Sequence, residues 1–358
     1  MRFGLFGGGR GGRQGVSDSH AYDDYIEYVC EAEELGFQGV FLVEHHFTGL
    51  GQISASLNLL TFLAARTTRM RLGTAVVVLP WHNPVLLAEQ AGTLDVLSNG
   101  RLDFGIGRGY RHNEFHGFCI PQEEAAARYE ETLEFLQRAW TAEERFSHHG
   151  TYWHFEDIVV EPRPVQRPHP PLWVGAGRPE SVREAGVQGF NLLLDQFASV
   201  EETGQRIAAY RAGVESTGVT FDPYRIGLTR SLNIAMNHAE REAAYERRAR
   251  MLLGIQKLAE DPRHRSSLAL PTSYDDSRLA TEESALLGTP DEIIARLRAL
   301  QDLGAAYVLL IDPGLSREHL RQFAREVMPA FAEESPVHAR DRRPQRRPYG
   351  LSSWSTGA

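Results

Sequence analysis

The sequence predicts a (β/α)8 (TIM) barrel with loop insertions, and three observations support this class of fold. Apolar runs with the length of buried parallel strands alternate with amphipathic helical stretches along almost the whole chain. The chain has 358 residues, more than the ~250 that such a barrel needs, which leaves room for insertions. Polar, proton-active residues directly follow a strand, as they do at the carboxyl end of a barrel. An open, doubly wound sheet is the alternative, because alternation alone does not prove closure.

Eight strands and nine helices are predicted from the apolar periodicity. The strands are Arg2–Gly7, Gly39–Glu44, Arg71–Leu79, Arg101–Gly107, Pro171–Gly175, Asn191–Leu194, Arg225–Ile234 and Ala306–Ile311. The helices are Tyr22–Leu35, Ser54–Thr67, Pro84–Leu97, Arg128–Trp140, Pro179–Ala185, Val200–Glu215, His238–Lys257, Pro290–Leu303 and Ser316–Phe331. Asn83-Pro84 and Thr289-Pro290 each combine a cap residue with a first-turn proline, which is typical of a helix start.

Three segments depart from the alternation. Residues Phe146–Pro164 alternate like a strand pair and are predicted to form a hairpin insertion on a barrel loop. Leu258–Leu287 is polar and fits no barrel element, so we expect a mobile lid over the site. We therefore expect one barrel domain over residues 1–332, followed by a disordered tail over residues 333–358.

Composition excludes several classes of function. The net charge is −9 and the pI is near 5.9, so no general attraction to nucleic acid or to a membrane surface is expected. No apolar run is long enough to span a bilayer. Only two cysteines occur, Cys30 and Cys119, which implies no disulfide framework and suits a cytoplasmic enzyme. Lys257 is the only lysine, which argues against an aldolase that forms a Schiff base.

Glu44, His45 and His46 follow a buried apolar run directly. A carboxylate and two imidazoles at a strand end are hard to explain by packing alone, because burying polar groups costs free energy. One of the two histidines could still be a structural core residue. Neighbouring strand residues point to opposite faces, so His45 and His46 are not expected to share a metal ion.

Two glycine-rich segments lie at other strand ends. Gly105-Ile-Gly-Arg-Gly109 combines a flexible backbone, which could approach a ligand closely, with Arg108, which suits phosphate. Val174-Gly-Ala-Gly177 runs into a helix that begins near Pro179, with Ser181 in its first turn. Free amide groups at a helix N-terminus bind anions. A barrel would bring both segments to the rim that carries Glu44, which indicates an enzyme with a phosphorylated cofactor.

Five motifs in this order resemble the flavin-dependent luciferase-like monooxygenases, and most nearly the α subunit of bacterial luciferase. They are Glu44-His-His-Phe-Thr48, Leu72-Gly-Thr-Ala-Val-Val-Val-Leu-Pro80, Gly100-Arg-Leu-Asp-Phe-Gly-Ile-Gly-Arg-Gly-Tyr110, Gly288-Thr-Pro290 and Val327-Met-Pro329. The resemblance extends from Met1 to Phe331. It implies a (β/α)8 barrel that binds reduced FMN, whose C4a atom reacts with O2 to give a peroxyflavin that oxygenates an organic substrate.

The resemblance also implies roles for individual residues. His45 matches the active-site histidine that acts as a base or stabilises the peroxide. The positions that match flavin contacts are Glu44 beneath the isoalloxazine, Ala75 and Val76 on a strand that often holds a non-proline cis peptide, Arg108 at the phosphate, Gly109 and Tyr110 along the flavin, Val174, Gly175, Ala176, Gly177 and Ser181 in a second phosphate segment, and Arg128 as a further basic contact.

The chain departs from luciferase at three positions. Gly107 replaces a reactive cysteine, Asp195-Gln196 replaces a Ser-Trp pair, and Ala176 replaces a glutamate of the phosphate loop. These changes argue against an aldehyde substrate and light emission, and leave the oxygen-activating residues intact. We expect Phe6, Trp173 and Leu194 to form an apolar pocket wall for a hydrophobic organic substrate.

The resemblance therefore implies a two-component monooxygenase that uses FMN and O2 and receives reduced flavin from a separate reductase, and the lack of a nicotinamide fingerprint is consistent with that division. An F420-dependent oxidoreductase and a non-catalytic flavin-binding barrel are the alternatives. Members of the family commonly pair through helices two and three. The apolar, small-residue faces at Ser54–Ala65 and Leu86–Ala91 thus predict a homodimer.

Overall fold

The computed structural model describes residues 1–8, 17–49, 52–259, 274–312 and 314–332. The strands are β1 Arg2–Gly7, β2 Gly39–Leu42, β3 Arg71–Thr74, β4 Val77–Val78, β5 Leu102–Gly107, β6 Phe146–His149, β7 His154–Ile158, β8 Leu172–Gly175, β9 Asn191–Leu194, β10 Ile226–Ile234, β11 Leu286–Gly288 and β12 Tyr307–Ile311. The helices are α1 Asp18–Glu34, α2 Ser56–Arg66, α3 Pro84–Leu97, α4 His112–Gly117, α5 Ala125–Thr141, α6 Pro179–Val187, α7 Val200–Glu215, α8 His238–Ala259, α9 Tyr274–Ser284, α10 Pro290–Asp302 and α11 Arg317–Glu326.

The eight main strands form a closed parallel barrel surrounded by the helices. Parallel pairing runs from β12 through β1, β2, β3, β5, β8 and β9 to β10, and β10 pairs in turn with β12. The first and last strands of the barrel are therefore in register, with Arg2 opposite Tyr307. This closure confirms the predicted (β/α)8 barrel and excludes the open, doubly wound sheet.

Side chains alternate between the inside of the barrel and the layer between strands and helices. Phe41, Trp173, Leu193, Tyr307 and Leu309 form the inner cluster. Their sequence neighbours face outward, as Leu192 and Leu194 do against α6 and α7. Because all barrel strands are parallel, their carboxyl ends meet at one rim, and the residues that follow each strand lie together there.

Helix starts agree with the sequence signals. Asn83 accepts hydrogen bonds from the first-turn amides of α3 through its side chain. Thr289 and Glu292 form a reciprocal capping box at α10. The segment Phe146–His149 pairs antiparallel with His154–Ile158, so the predicted hairpin insertion is confirmed.

The segment Leu258–Leu287, where no barrel element is predicted, has regular structure at both of its ends. Helix α8 continues to Ala259, α9 spans Tyr274–Ser284, and β11 pairs in parallel with the end of β10. The apolar Ala285-Leu-Leu287 triplet supplies the buried strand and is too short to stand out by periodicity. Residues 260–273 of the predicted lid, Leu258–Leu287, and the predicted tail over residues 333–358 lie outside the described part of the chain. None of the helices that the structure describes is long and apolar enough to cross a membrane.

Candidate active site

Glu44 is the centre of a buried hydrogen-bond network at the end of β2. Its side chain is 2% exposed. Its Oε1 atom accepts hydrogen bonds from His46 Nε2 at 3.0 Å, Trp81 Nε1 at 2.9 Å and His82 Nε2 at 2.8 Å. Burial alone would raise the pKa of this carboxyl, but the three donors outweigh it and lower the pKa to about 2. Glu44 is thus an anion that ties the end of β2 to the segment before α3.

His45 contacts a second carboxylate, that of Glu114. Its Nδ1 atom is 3.1 Å from Oε1 of Glu114 on α4, and the same oxygen accepts the backbone N–H of His46 at 2.9 Å. Burial lowers the pKa of His45, and Arg111 acts in the same direction, while Glu114 opposes both. A neutral imidazole beside a carboxylate carries its proton on the nitrogen that faces it. His45 therefore keeps its lone pair on Nε2, as a general base requires.

The predicted flavin-facing strand has an unusual backbone. The peptide bond between Ala75 and Val76 is cis, as the resemblance implied for this position. It separates β3 from β4, so the single strand predicted over residues 71–79 is interrupted. Ala75, Val76 and Phe6 all pack against the inner barrel cluster. They form an apolar surface at the rim near the Glu44 network.

The glycines around Arg108 lie close to other parts of the protein, and their expected approach to a ligand stays a prediction. A Cβ atom on Gly105 would lie 1.9 Å from the carbonyl oxygen of Thr74, and one on Gly107 would lie 2.5 Å from Val76 Cγ2. Gly109 has a φ of +75° and would contact Val78 at 2.7 Å. These glycines allow β5 to approach the segment that contains the cis peptide.

Arg108 and Arg128, the two arginines predicted to contact the flavin, differ in their environment. Arg108 is exposed, and no hydrogen bond or ion pair joins it to another residue within the described ranges. Burial raises the pKa of Tyr129 on α5 to about 12, and the charge of Arg108 opposes this shift. Arg128 pairs with Glu124 at 2.9 Å and lies 4.2 Å from the ring centre of Tyr152. Of these two arginines, Arg108 is the one whose guanidinium is left unpaired within the described ranges and can bind an anion.

The second glycine-rich segment leads into the start of α6. Space is open around Gly175, where an added Cβ would meet no atom within 4 Å. The N-cap residue Arg178 makes no side-chain cap, and the first backbone hydrogen bond runs from Val182 N to Arg178 O. The amide groups of Glu180 and Ser181 precede that bond, so they are free to bind an anion. Ala176 and Gly177 lie between this helix and the end of β9, where Gly177 is near Asp195.

Of the three predicted wall residues, two lie inside the barrel. Trp173 is 3% exposed in the inner cluster, and its Nε1 atom has no hydrogen-bond partner in the described structure. Phe6 packs against the same cluster. Leu194 was predicted wrongly, because alternation along β9 turns it outward against α6 and α7, and Leu193 takes the inner position.

Sequence reasoning missed several residues of this site. Glu114 on α4 binds the predicted His45, and Trp81 and His82, just before α3, bind the predicted Glu44; no spacing pattern relates them. Two buried arginines were missed as well: Arg230 and Arg248 donate to the backbone of Asp195–Ala198 and fix the loop after β9. Burial lowers their pKa to about 9 and about 10. No group of three or more His, Cys, Asp or Glu in the described parts of the chain could hold a metal ion.

The fold is a (β/α)8 barrel with polar and charged groups at its carboxyl rim, and residues 1–307 match the family model for luciferase-like monooxygenases, which are oxidoreductases. The chain belongs to that family. It is 27% identical over 348 residues to the oxygenase component of the flavin-dependent trigonelline monooxygenase of Acinetobacter baylyi, covering 93% of this chain and 96% of that protein.

Relatives with a different cofactor are similarly close. An F420-dependent glucose-6-phosphate dehydrogenase of Beutenbergia cavernae is 30% identical over 332 residues, covering 89% of this chain and 96% of that protein. Among solved structures, the monooxygenase RslO1 of Streptomyces bottropensis superposes with a TM-score of 0.80 at 28% identity, covering 93% of this chain and all of that one. The family is thus established, and both flavin and F420 enzymes are among its relatives.

Proposed function

We propose that this protein is the oxygenase component of a two-component monooxygenase, which uses reduced FMN and O2 to oxygenate a hydrophobic organic substrate. The observation that carries the proposal is His45, a neutral imidazole with its Nε2 lone pair free, at the rim that also holds Ala75 and Arg108. The similarity to a flavin-dependent oxygenase component supports a separate reductase as the source of reduced flavin.

The residues present fit FMN. The exposed cation Arg108 and the free amides of Glu180 and Ser181 would hold the phosphate, and the open space at Gly175 would admit it. The apolar surface of Ala75 and Val76 would support the isoalloxazine. Bound reduced flavin supplies the two electrons that activate O2.

The protein's own residues would then have three tasks. His45 accepts or returns a proton at Nε2. The Glu44 network holds the Glu44–His46 turn in place, so that the imidazole of His45 keeps its orientation. Phe6 and Trp173 provide an apolar surface that excludes water from the reacting groups and receives the substrate. Cytoplasmic location and a single barrel domain over residues 1–332 belong to the same proposal.

A homodimer is also part of the proposal. Phe62 on α2 is 50% exposed and Leu86 on α3 is 56% exposed. Large apolar side chains on these two neighbouring helices suit a self-complementary interface. Light scattering at micromolar concentration should give the mass of two chains, and the mass of one chain would contradict this part.

The test of the cofactor compares reduced FMN with reduced F420 under anaerobic conditions, followed by addition of O2. The proposal expects tighter binding of reduced FMN. With a generic flavin reductase, NADH and a panel of hydrophobic compounds, it expects ¹⁸O from ¹⁸O2 in the product. His45→Ala should retain flavin binding but release hydrogen peroxide in place of product. Hydride transfer from reduced F420 without O2 would instead support the dehydrogenase alternative, which the 30% identical relative favours.

A further inference from the structure

Glu114 is the residue through which His45 is oriented. It lies on the short helix α4, which follows Arg108 in the chain, and is 1% exposed. Its Oε1 atom lies 3.1 Å from Nδ1 of His45 and accepts a hydrogen bond from the backbone N–H of His46 at 2.9 Å. The neighbouring Asn113 donates to the carbonyl of His46 at 3.3 Å. One turn of helix thus holds the backbone and the imidazole of the same dipeptide.

A buried cation binds the segment that also anchors His45, because Arg111 donates to Gln52 and the adjoining Ile53 accepts the backbone N–H of His45 at 2.9 Å. Arg111, at the start of α4, is 1% exposed. Its guanidinium donates to Gln52 Oε1 at 3.0 Å and to the hydroxyl of Tyr110 at 3.3 Å. Its charge acts on His45 in the direction opposite to that of Glu114. The charged groups that act on His45 are therefore Glu114 and Glu44 on one side and Arg111 on the other.

We propose that Glu114 and Arg111 are an opposed pair of positioning residues: Glu114 holds the proton of His45 on Nδ1, which leaves Nε2 as the base, and Arg111 keeps the imidazole uncharged. This proposal rests on the proposed function, in which His45 handles a proton. Neither residue needs to touch the substrate, because both act through the imidazole. A carboxylate behind a histidine fixes the tautomer in this way in many enzyme sites.

A purely structural role for Glu114 would have a different signature. Glu114→Gln retains the size of the side chain and an oxygen that can accept from His46 N, so the turn keeps its backbone anchor. The negative charge that selects the Nδ1–H tautomer is lost. The tautomer and titration of His45 therefore separate a positioning role from a role in packing.

The first experiment records the ring ¹⁵N signals of ¹⁵N-histidine-labelled protein as a function of pH, with His45→Gln to assign the signals. In the wild type, we expect a neutral His45 with Nδ1–H over the neutral range. Glu114→Gln should lower the pKa of His45 further, because the neutral amide no longer stabilises the imidazolium, and should weaken the preference for the Nδ1–H tautomer. Arg111→Gln should raise that pKa, because the opposing cation is removed.

Glu131→Gln is the matched control. Glu131 also accepts from a histidine ring, His148 Nε2 at 3.3 Å, and from the backbone amides of residues 151–153. Its substitution should leave the signals of His45 unchanged. Unchanged signals in Glu114→Gln as well, or shifts of the same sign in Glu114→Gln and Arg111→Gln, would overturn the proposal.

Turnover provides the second measurement. We expect Glu114→Gln to reduce product formation roughly 10- to 100-fold, the scale of losing a residue that orients a catalytic group, and to move the acidic limb of the pH–rate profile to lower pH. The Arg111→Gln profile should move to higher pH. If the His45 signals shift as expected but the protein forms no oxygenated product, the proposed function is refuted and the positioning role stands. If the protein oxygenates substrate but the His45 signals do not change in the variants, the positioning role is refuted and the proposed function stands.

Discussion

Replacing Glu44 by glutamine should destabilise the protein through a defined electrostatic effect. The folded structure surrounds this carboxylate with three donors, and its pKa falls from an ordinary 4.5 to about 2. Because the anion is more stable in the folded chain than in the unfolded one, the difference in pKa is a contribution to folding free energy. A shift of this size is worth about 3 kcal/mol at pH 7. Glutamine keeps the shape of the side chain and loses that contribution.

The sign of the pH dependence follows from the depressed pKa. The contribution of Glu44 is complete above pH 4.5, the unfolded value, and is lost as pH falls toward the folded value of about 2. The difference in unfolding free energy between wild type and Glu44→Gln should therefore shrink from about 3 kcal/mol at pH 7 to about 2 kcal/mol at pH 3.5.

Urea unfolding followed by tryptophan fluorescence at both pH values measures this difference. The control is Glu156→Gln, because the side chain of Glu156 is 75% exposed on the hairpin. That substitution should change stability by less than about 0.5 kcal/mol. If Glu44→Gln behaves like the control, or if its effect is equally large at both pH values, the buried-anion interpretation of the network is wrong.

Three further predictions concern the rim and the surface. Arg108→Ala should weaken binding of reduced FMN by ~2–3 kcal/mol without lowering the melting temperature, since Arg108 has no described protein partner; anaerobic titration and calorimetry measure the two, and unchanged affinity would remove Arg108 from the site. Gly105→Ala should destabilise the fold by ~3 kcal/mol or more through its clash with the Thr74 carbonyl, whereas Gly175→Ala should fold normally; equal melting temperatures would contradict this. Phe62→Glu should convert the proposed dimer to a monomer in sedimentation experiments, and an unchanged mass would place the interface elsewhere.

The barrel could be predicted because its signals are local. Helix starts at Pro84 and Pro290 depend on residues within one turn, and the cap hydrogen bonds form as expected. Apolar runs specified the strands to within a few residues. The resemblance located the cis bond at Ala75–Val76, which no propensity would have indicated.

The side of a strand that points into the barrel, and contacts between residues far apart in the chain, could not be predicted in the same way. Residues 192–194 are all leucine and all buried, so the sequence contains no polar alternation to show which of them faces the interior. His45 and Glu114 are 69 residues apart in the chain. Their contact depends on how the segment after β2 and helix α4 lie across the rim, and that arrangement exists only once the barrel has closed.

The same closure has a consequence for how the chain is made. The strand that completes the barrel, β12, pairs with β1 on one side and β10 on the other. During synthesis, β1 and β10 emerge as open edges, with unpaired backbone groups and apolar faces, and remain so until residues 307–311 leave the ribosome. Such edges are templates for pairing with other chains. A protein truncated before Tyr307 should therefore accumulate as aggregate, because loss of the final strand opens the sheet instead of merely shortening it.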